Sequence, residues 1–227
     1  MNPGIDLAAF DLDGVLYSSE PFLGEAYREA IANVNAARPG SFARVPSTGE
    51  ILQHIGWPVP VILERLFPHV DDGAIALLHV ETLDVICAHV ARGDGVLYAD
   101  VPATLRALHE RGLRLAVASN GRTRYVETVL ATYGLGDLFL KRVTADQVGD
   151  KTAVLRAYID RLGTTAAATV MIGDRASDVE AARAVGCRFI GCDYGHGHRD
   201  EIEGAGPVIN RFADVAAIVE GAAPSAP

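Results

Sequence analysis

Apolar positions along this chain follow two rhythms. Leu7 to Leu12 is a short, nearly continuous apolar run that ends among acidic residues, which reads as a buried strand followed by a turn at Gly14. A stretch of about 80 residues then passes before the next strand-like run, too long for a loop without structure of its own. Its spacing predicts helices over about 22–36, 48–55, 61–66 and 73–91. Gly56 and Pro58 stop the second, and Ile75, Leu78, Leu83, Ile86 and Val90 mark the last. After Gly93-Asp94-Gly95 the rhythm changes to alternating helix and strand. Pro102 opens a helix carrying Leu105 and Leu108 that ends at Gly112. Strands are predicted over 113–118, 138–143, 169–172 and 188–190, with a last short one at Val208 and Ile209. Helices over 124–133, 152–162 and 177–185 close at Gly134, Gly163 and Gly186; a terminal helix at 212–219 leads into a tail, 221–227, expected to fray.

Repeated strand–helix units predict an α/β fold, a Rossmann-like parallel sheet with helices on both faces. Residues 1–17 and 95–227 form that core, and residues 18–94 form an inserted small helical cap domain. No internal repeat is visible.

Composition narrows the function. The 227 residues are 49% hydrophobic and 22% charged, as in an ordinary globular protein. The net charge of −9 argues against nucleic acid as a main partner. No apolar run approaches the roughly 20 residues of a membrane span, and the first residues lack the basic start and apolar stretch of a signal peptide. No membrane partner and a cytoplasmic location are therefore expected. Three cysteines, Cys87, Cys187 and Cys192, do not make a disulfide framework. Cys187 and Cys192 flank Phe189-Ile190, which favours burial in a strand over metal binding. Nothing in the sequence signals an oligomeric state.

In a doubly wound sheet, ligands bind beyond the carboxyl ends of the strands. Asp11, Asp13 and Gly14 follow the first strand, and Ser119, Asn120 and Gly121 the second. Lys151 opens the helix after the third, and Gly173, Asp174 and Asp178 follow the fourth. Converging carboxylates repel one another unless a cation joins them, and hard oxygen ligands favour magnesium. Ser119, Asn120 and turn amides can hold phosphate oxygens while Lys151 supplies a fixed charge. A carboxylate in line with phosphorus can attack it, and a second carboxyl can protonate the leaving oxygen. Each feature alone has a plainer meaning: DLDG and Ser-Asn-Gly also occur as ordinary turns, and Asp174 and Asp178 could be helix-start charges.

With these residues in order, the chain resembles the haloacid-dehalogenase-like hydrolases, in particular their phosphoglycolate-phosphatase-like branch. DLDGV at 11–15, SNG at 119–121, Lys151 before a helix and GDRASD at 173–178 match that family's motifs across essentially the whole chain. The resemblance implies a phosphoric monoester hydrolase using Mg2+ on a small phosphorylated metabolite. Asp11 is implied as nucleophile and metal ligand, and Asp13 as general acid/base that lends its backbone carbonyl to the metal. Asp174 is implied as a metal ligand, and Asp178 as one acting at second remove or through water. Ser119 and Lys151 would hold the phosphoryl group, with Gly14, Asn120 and Gly121 completing the loops. One departure is Tyr17-Ser18, where relatives often carry a further Asp. Asp13 argues against halide-releasing members. The absence of lysine from 18–94 argues against phosphonate-cleaving ones, and Gly173 before Asp174 against sugar phosphomutases. A mutase, or a non-catalytic ligand-binding protein that kept the fold, are the alternatives.

Outside these motifs, His54, His69, His79, His89 and His109 read as surface or packing residues, and His196 and His198 as a loop at the edge of the site. Arg122 and Arg175 read equally as anion-attracting or as plain surface residues. Gly56, Trp57 and Arg65 are candidates to face substrate.

Overall fold

The computed structural model describes residues 4–221, so the fraying expected of the tail falls, apart from Gly221, outside the described residues. The strands are β1 (Leu7–Phe10), β2 (Tyr17–Ser18), β3 (Val96–Leu97), β4 (Arg114–Val117), β5 (Thr169–Gly173), β6 (Arg188–Cys192) and β7 (Val208–Ile209). Five form one sheet in the order β4-β1-β5-β6-β7, every neighbouring pair parallel. Counted along the sheet's own strands this is the order 2-1-3-4-5, whose direction of winding reverses between β1 and β5. The crevice at that reversal is where the chain places Asp11 and Asp174.

Both faces of the sheet are covered, and the alternation of each strand decides which residue meets which helix. Phe10, Val117 and Ile172 share one cluster with Leu105 of α5 (Val101–Glu110) and Val126 of α6 (Thr123–Thr132). Ala9, Ala116 and Met171 share the other with Val154 and Tyr158 of α8 (Lys151–Leu162) and Val179 of α9 (Ala176–Val185). Two short helices, α7 (Ala145–Val148) and α10 (Arg199–Ile202), and the closing α11 (Asp214–Val219) complete this part.

Between β2 and β3, which pair as a small antiparallel ribbon, lie α1 (Glu20–Ala37), α2 (Thr48–Leu52), α3 (Val59–Leu66) and α4 (Asp72–Arg92). Local signals set their ends. Ser47 and Glu50 form a reciprocal capping box at the start of α2. The Asp71 carboxylate accepts from Ala74 N–H at 3.1 Å to open α4, and Gly93 closes it in the left-handed conformation. By length and composition α4 is long and apolar enough to cross a membrane, which corrects the expectation that the chain holds no such segment. Counting uninterrupted apolar residues missed it because Glu81 and Asp84 break the run. Its Leu78, Val85 and Val90 are buried in the core, and α4 packs against α1 and α6.

The strand expected over 138–143 does not form. Gly136–Leu138 is one turn of 3-10 helix, and the chain then runs irregularly beside β4. Leu140 N–H donates to Leu115 O at 2.8 Å as a single rung. Arg142 takes the place of a ladder: its Nη1 donates to the carbonyls of Gly136 at 2.9 Å and of Phe139 and Leu140 at 3.4 Å. Its Nε and Nη2 grip Glu127 at 2.9 and 2.8 Å. A guanidinium supplies these donors in a fixed fork, and the apolar run gave no sign of it. Removing it leaves part-buried carbonyls unpaired. Arg142→Ala is expected to destabilise the protein by about 1–3 kcal/mol, read as a lower urea midpoint at unchanged slope. An unchanged midpoint would show that this segment holds its shape without the guanidinium.

Candidate active site

The site begins with an ammonium shared between two carboxylates. Lys151, the first residue of α8, donates from Nζ to Asp11 Oδ2 at 2.8 Å and to Asp178 Oδ1. All three residues are buried, Lys151 and Asp11 at 2% exposure and Asp178 at 0%. Burial alone would lower the Lys151 pKa, but the Asp11 and Asp178 charges outweigh it and hold the ammonium protonated.

Each carboxylate is also tied to backbone. Asp11 Oδ1 accepts from Leu12 N–H at 2.7 Å. Asp178 Oδ2 accepts from the N–H groups of Asp174 at 3.1 Å and Arg175 at 2.9 Å, at the start of α9. Asp174 Oδ2 accepts from His196 and Gly197 N–H at 2.7 and 3.0 Å. Asp174 Oδ1 is buried with no hydrogen-bond partner among the described residues. One oxygen each of Asp11, Asp174 and Asp178 lies within 4.8 Å of the others. Burial, reinforced by the Asp178 charge, pushes Asp174 up to about 7, and burial pushes Asp178 up to about 6. Asp11 is likewise raised, chiefly by burial. Hard oxygens converging with one of them orphaned fit a divalent cation.

Two glycines make this approach of strand ends possible. A Cβ on Gly14, whose φ is +82°, would overlap the Asp174 carboxylate, and one on Gly173 would overlap that of Asp178.

Asp13 stands apart. Its Oδ1 accepts from Tyr125 O–H at 2.5 Å, and its carboxyl is not part of the three-carboxylate group. Burial pushes it up to about 7, against the pull of that phenol bond. Asp11, Asp13, Ser119, Asn120 and Gly121 line one side of a pocket enclosing about 740 Å3, some of it open to solvent. Ser119 Oγ accepts from Gly121 N–H at 3.0 Å, which folds the loop after β4.

The other side of the pocket belongs to the helical insertion, and polar bonds fasten the two sides together. Asn120 Nδ2 donates to Gly56 O at 2.8 Å and Ser177 Oγ to the same oxygen at 3.4 Å. Arg175 donates to Gln53 O at 2.9 Å and His196 O at 3.2 Å and pairs with Glu201. At 6% exposure Arg175 is neither a surface residue nor a free anion receptor; it bolts the loop after α2 to the sheet end. Arg122 does line the pocket, as do Gly56 and Trp57. Arg65 is exposed and lies over the Trp57 ring at 4.7 Å, away from the pocket lining. His196 serves through its main-chain N–H, and His198 N–H bonds Glu201 at 3.1 Å. Tyr17 and Ser18, at the one departure, are buried in β2. Tyr125, Arg175, Gly197 and the pocket-lining His79 carried no sequence signal of their roles. Each depends on where a helix face or loop amide lands after folding.

Comparison with known proteins agrees with this geometry. A family model for haloacid dehalogenase-like hydrolases matches residues 5–186. The chain is 32% identical over 221 residues to the phosphoglycolate phosphatase of Pectobacterium atrosepticum, covering 93% of this chain and 91% of that one. It is also 32% identical over 213 residues to that of Aliivibrio fischeri, covering 89% and 90%. A crystal structure described as a predicted phosphoglycolate phosphatase from Haemophilus somnus superposes with a TM-score of 0.82 at 24% identity, covering 94% of this chain and 97% of that one. The strand order, the motifs at the strand ends and these relatives agree, and the chain belongs to the haloacid dehalogenase-like hydrolases, in their phosphoglycolate-phosphatase-like branch.

Proposed function

We propose that this protein is a Mg2+-dependent phosphatase that hydrolyses a small phosphate monoester through an aspartyl-phosphate on Asp11. The observation that carries the reading is Lys151 Nζ, 2.8 Å from Asp11 Oδ2, beside the orphaned Asp174 Oδ1. A site of this kind has a charged nucleophile, a fixed cation and room for a metal.

Lys151 and the Leu12 N–H hold the Asp11 carboxylate in one orientation, so its attack on phosphorus carries little reorganisation. As the bond from Asp11 to phosphorus forms, the ester P–O bond breaks and the Asp13 carboxyl gives its proton to the leaving oxygen. Asp13 then takes a proton from water as that water attacks phosphorus and the bond from Asp11 to phosphorus breaks, which releases inorganic phosphate, frees the Asp11 carboxylate and leaves Asp13 protonated again. Tyr125 keeps the Asp13 carboxyl out of the metal group and turned toward the pocket. Ser119 and the Gly121 loop, with Lys151, receive the phosphoryl oxygens. Asp11, Asp174 and the Asp13 carbonyl would hold Mg2+, with Asp178 behind them, and the bound ion supplies charge neutralisation at the phosphoryl group. Residues 18–94 act as a cap: the Gly56 and Gln53 contacts favour a closed state that excludes bulk water.

Asp11→Asn is expected to abolish phosphate release, and Asp13→Asn to lower kcat by about 10²–10⁴-fold, in a phosphate-release assay with Mg2+. Full activity of Asp11→Asn would overturn the mechanism. An isomerised phosphate ester in place of free phosphate would identify a mutase.

The carboxylate group makes a second expectation that activity does not enter. Asp174 and Asp178, at about 7 and about 6, bind protons more tightly folded than unfolded. Their contribution to stability is fully present below about pH 4 and is lost as pH rises through about 6–7. Mg2+ competes with those protons, so its stabilisation should grow over the same interval. At about one hundred times its Kd it contributes about 2.7 kcal/mol near pH 8 and much less near pH 5. Thermal unfolding with Mg2+ against chelator at the two pH values measures it. Equal Tm values near pH 8 would speak against a cation at Asp174.

A further inference from the structure

The pocket wall opposite the catalytic residues is built mainly from hydrocarbon. On α4, His79, Thr82, Leu83 and Ile86 fall at i, i+3, i+4 and i+7 and present one helix face to the pocket. Thr82 Oγ donates to Leu78 O at 2.7 Å, so its hydroxyl is already satisfied within the helix. Leu23 of α1, Ile62 of α3, Ile55 and Trp57 complete the apolar surface. Ser19, Tyr27, His79 and Arg122 interrupt it with polar groups. Among the described residues, Arg122 is the one cationic side chain lining the pocket, held by a long bond of 3.5 Å to His79 O. His79 Nε2 is buried with no partner among the described residues, and burial lowers the ring's pKa, so the neutral imidazole is the form to be satisfied.

A leaving group must match that wall. Each sugar hydroxyl buried there would need its own partner, and the wall offers few. Glycolate, with a single methylene, would leave most of the apolar surface uncovered. We propose, on the basis of the phosphatase reading above, that the substrate is a phosphate monoester whose alcohol has an apolar aliphatic or aromatic body ending in one hydrogen-bonding group, received by His79 and Arg122. The substrate class thus departs from the phosphoglycolate named for the relatives, while the chemistry at phosphorus is shared.

Trp57 is the only tryptophan in the chain and lines the pocket, so its emission reports binding directly. The Mg2+-loaded Asp11→Asn protein is titrated with benzyl phosphate, 4-(hydroxymethyl)benzyl phosphate, phosphoglycolate and glucose 6-phosphate, with calorimetry as a second readout. Wild-type kcat/KM is measured on the same four compounds. One methylene in an apolar pocket is worth roughly 10–200-fold. The two benzyl esters are therefore expected to bind at least about tenfold more tightly than phosphoglycolate and glucose 6-phosphate, and to be hydrolysed with correspondingly higher kcat/KM. The hydroxymethyl ester is expected to bind better than benzyl phosphate in wild-type pocket context and to lose that advantage in His79→Leu. Leu83→Arg should reverse the preference toward phosphoglycolate; should it fail to fold, Leu83→Ala should still weaken the benzyl esters selectively. Phosphoglycolate or glucose 6-phosphate binding as tightly as the benzyl esters would overturn the substrate class. So would a hydroxymethyl advantage that survives His79→Leu, as regards the end group. Benzyl esters that bind preferentially but are not hydrolysed would instead count against the phosphatase reading and leave the pocket assignment standing.

Discussion

Lys151 and its two carboxylates are the constraint around which the core is arranged. A buried ammonium shared by Asp11 and Asp178 exists only if the end of β1, the start of α8 and the first turn of α9 meet within hydrogen-bond distance. Breaking such a group by removing one partner strands a buried charge, which typically costs about 3–5 kcal/mol. The sheet order supplies the meeting place, because β1 and β5 are neighbours at the reversal of winding. Gly14 and Gly173 remove the side chains that would hold the strand ends apart. Even so, one ammonium does not balance Asp11, Asp174 and Asp178. Burial, with the neighbouring carboxylate charges adding to it, raises the carboxyl pKa values, and among the described residues one Asp174 oxygen has nothing to bond. The site is stable enough to fold yet left in want of a cation, which is the condition for binding one.

The end of the molecule that carries this charge was legible in the sequence, and the reason is physical. Acidic or Ser-Asn-Gly residues directly after a short apolar run lie at the carboxyl end of a strand, and in a parallel sheet all such ends point one way. Placement of Asp11, Ser119 and Asp174 therefore needed only the strand boundaries. The failed strand over 138–143 shows the limit of the same reasoning. An apolar run reads alike whether its carbonyls pair with a neighbouring strand or with a guanidinium, and here Arg142 took them. Lys151 kept its position because α8 still starts at its own cap, Asp150, whose carboxylate accepts from Ala153 N–H at 2.7 Å.

The helical insertion was legible as helices and illegible as a surface. Helical spacing on α4 marks apolar residues all around it: Leu78 and Val90 pack inward, whereas Leu83 and Ile86 turn to the pocket. Hydropathy does not distinguish a residue that contacts another helix from one that awaits a ligand. Three of the bonds that fasten the insertion to the core are equally silent, since they run from Asn120, Ser177 and Arg175 to main-chain carbonyls of Gln53 and Gly56. A carbonyl is present at every residue and leaves no trace in composition. Asn120 and Arg175 sit inside recognisable motifs, yet their partners were fixed only by the fold.

These two halves impose different tolerances. At the sheet end the carboxylates, Lys151 and the turn amides are bonded to one another, and a change of one carboxylate alters the charge balance of the rest. On the insertion side, Leu83, Ile86 and Ile62 contribute area and shape, properties that can change one residue at a time without disturbing the ion group. The contacts through Gln53 and Gly56 carbonyls join the halves without using insertion side chains, so the wall can vary while the closure persists. On the proposed reading, a fold divided in this way would keep its chemistry at phosphorus fixed and leave the identity of the leaving group to the apolar face of α4.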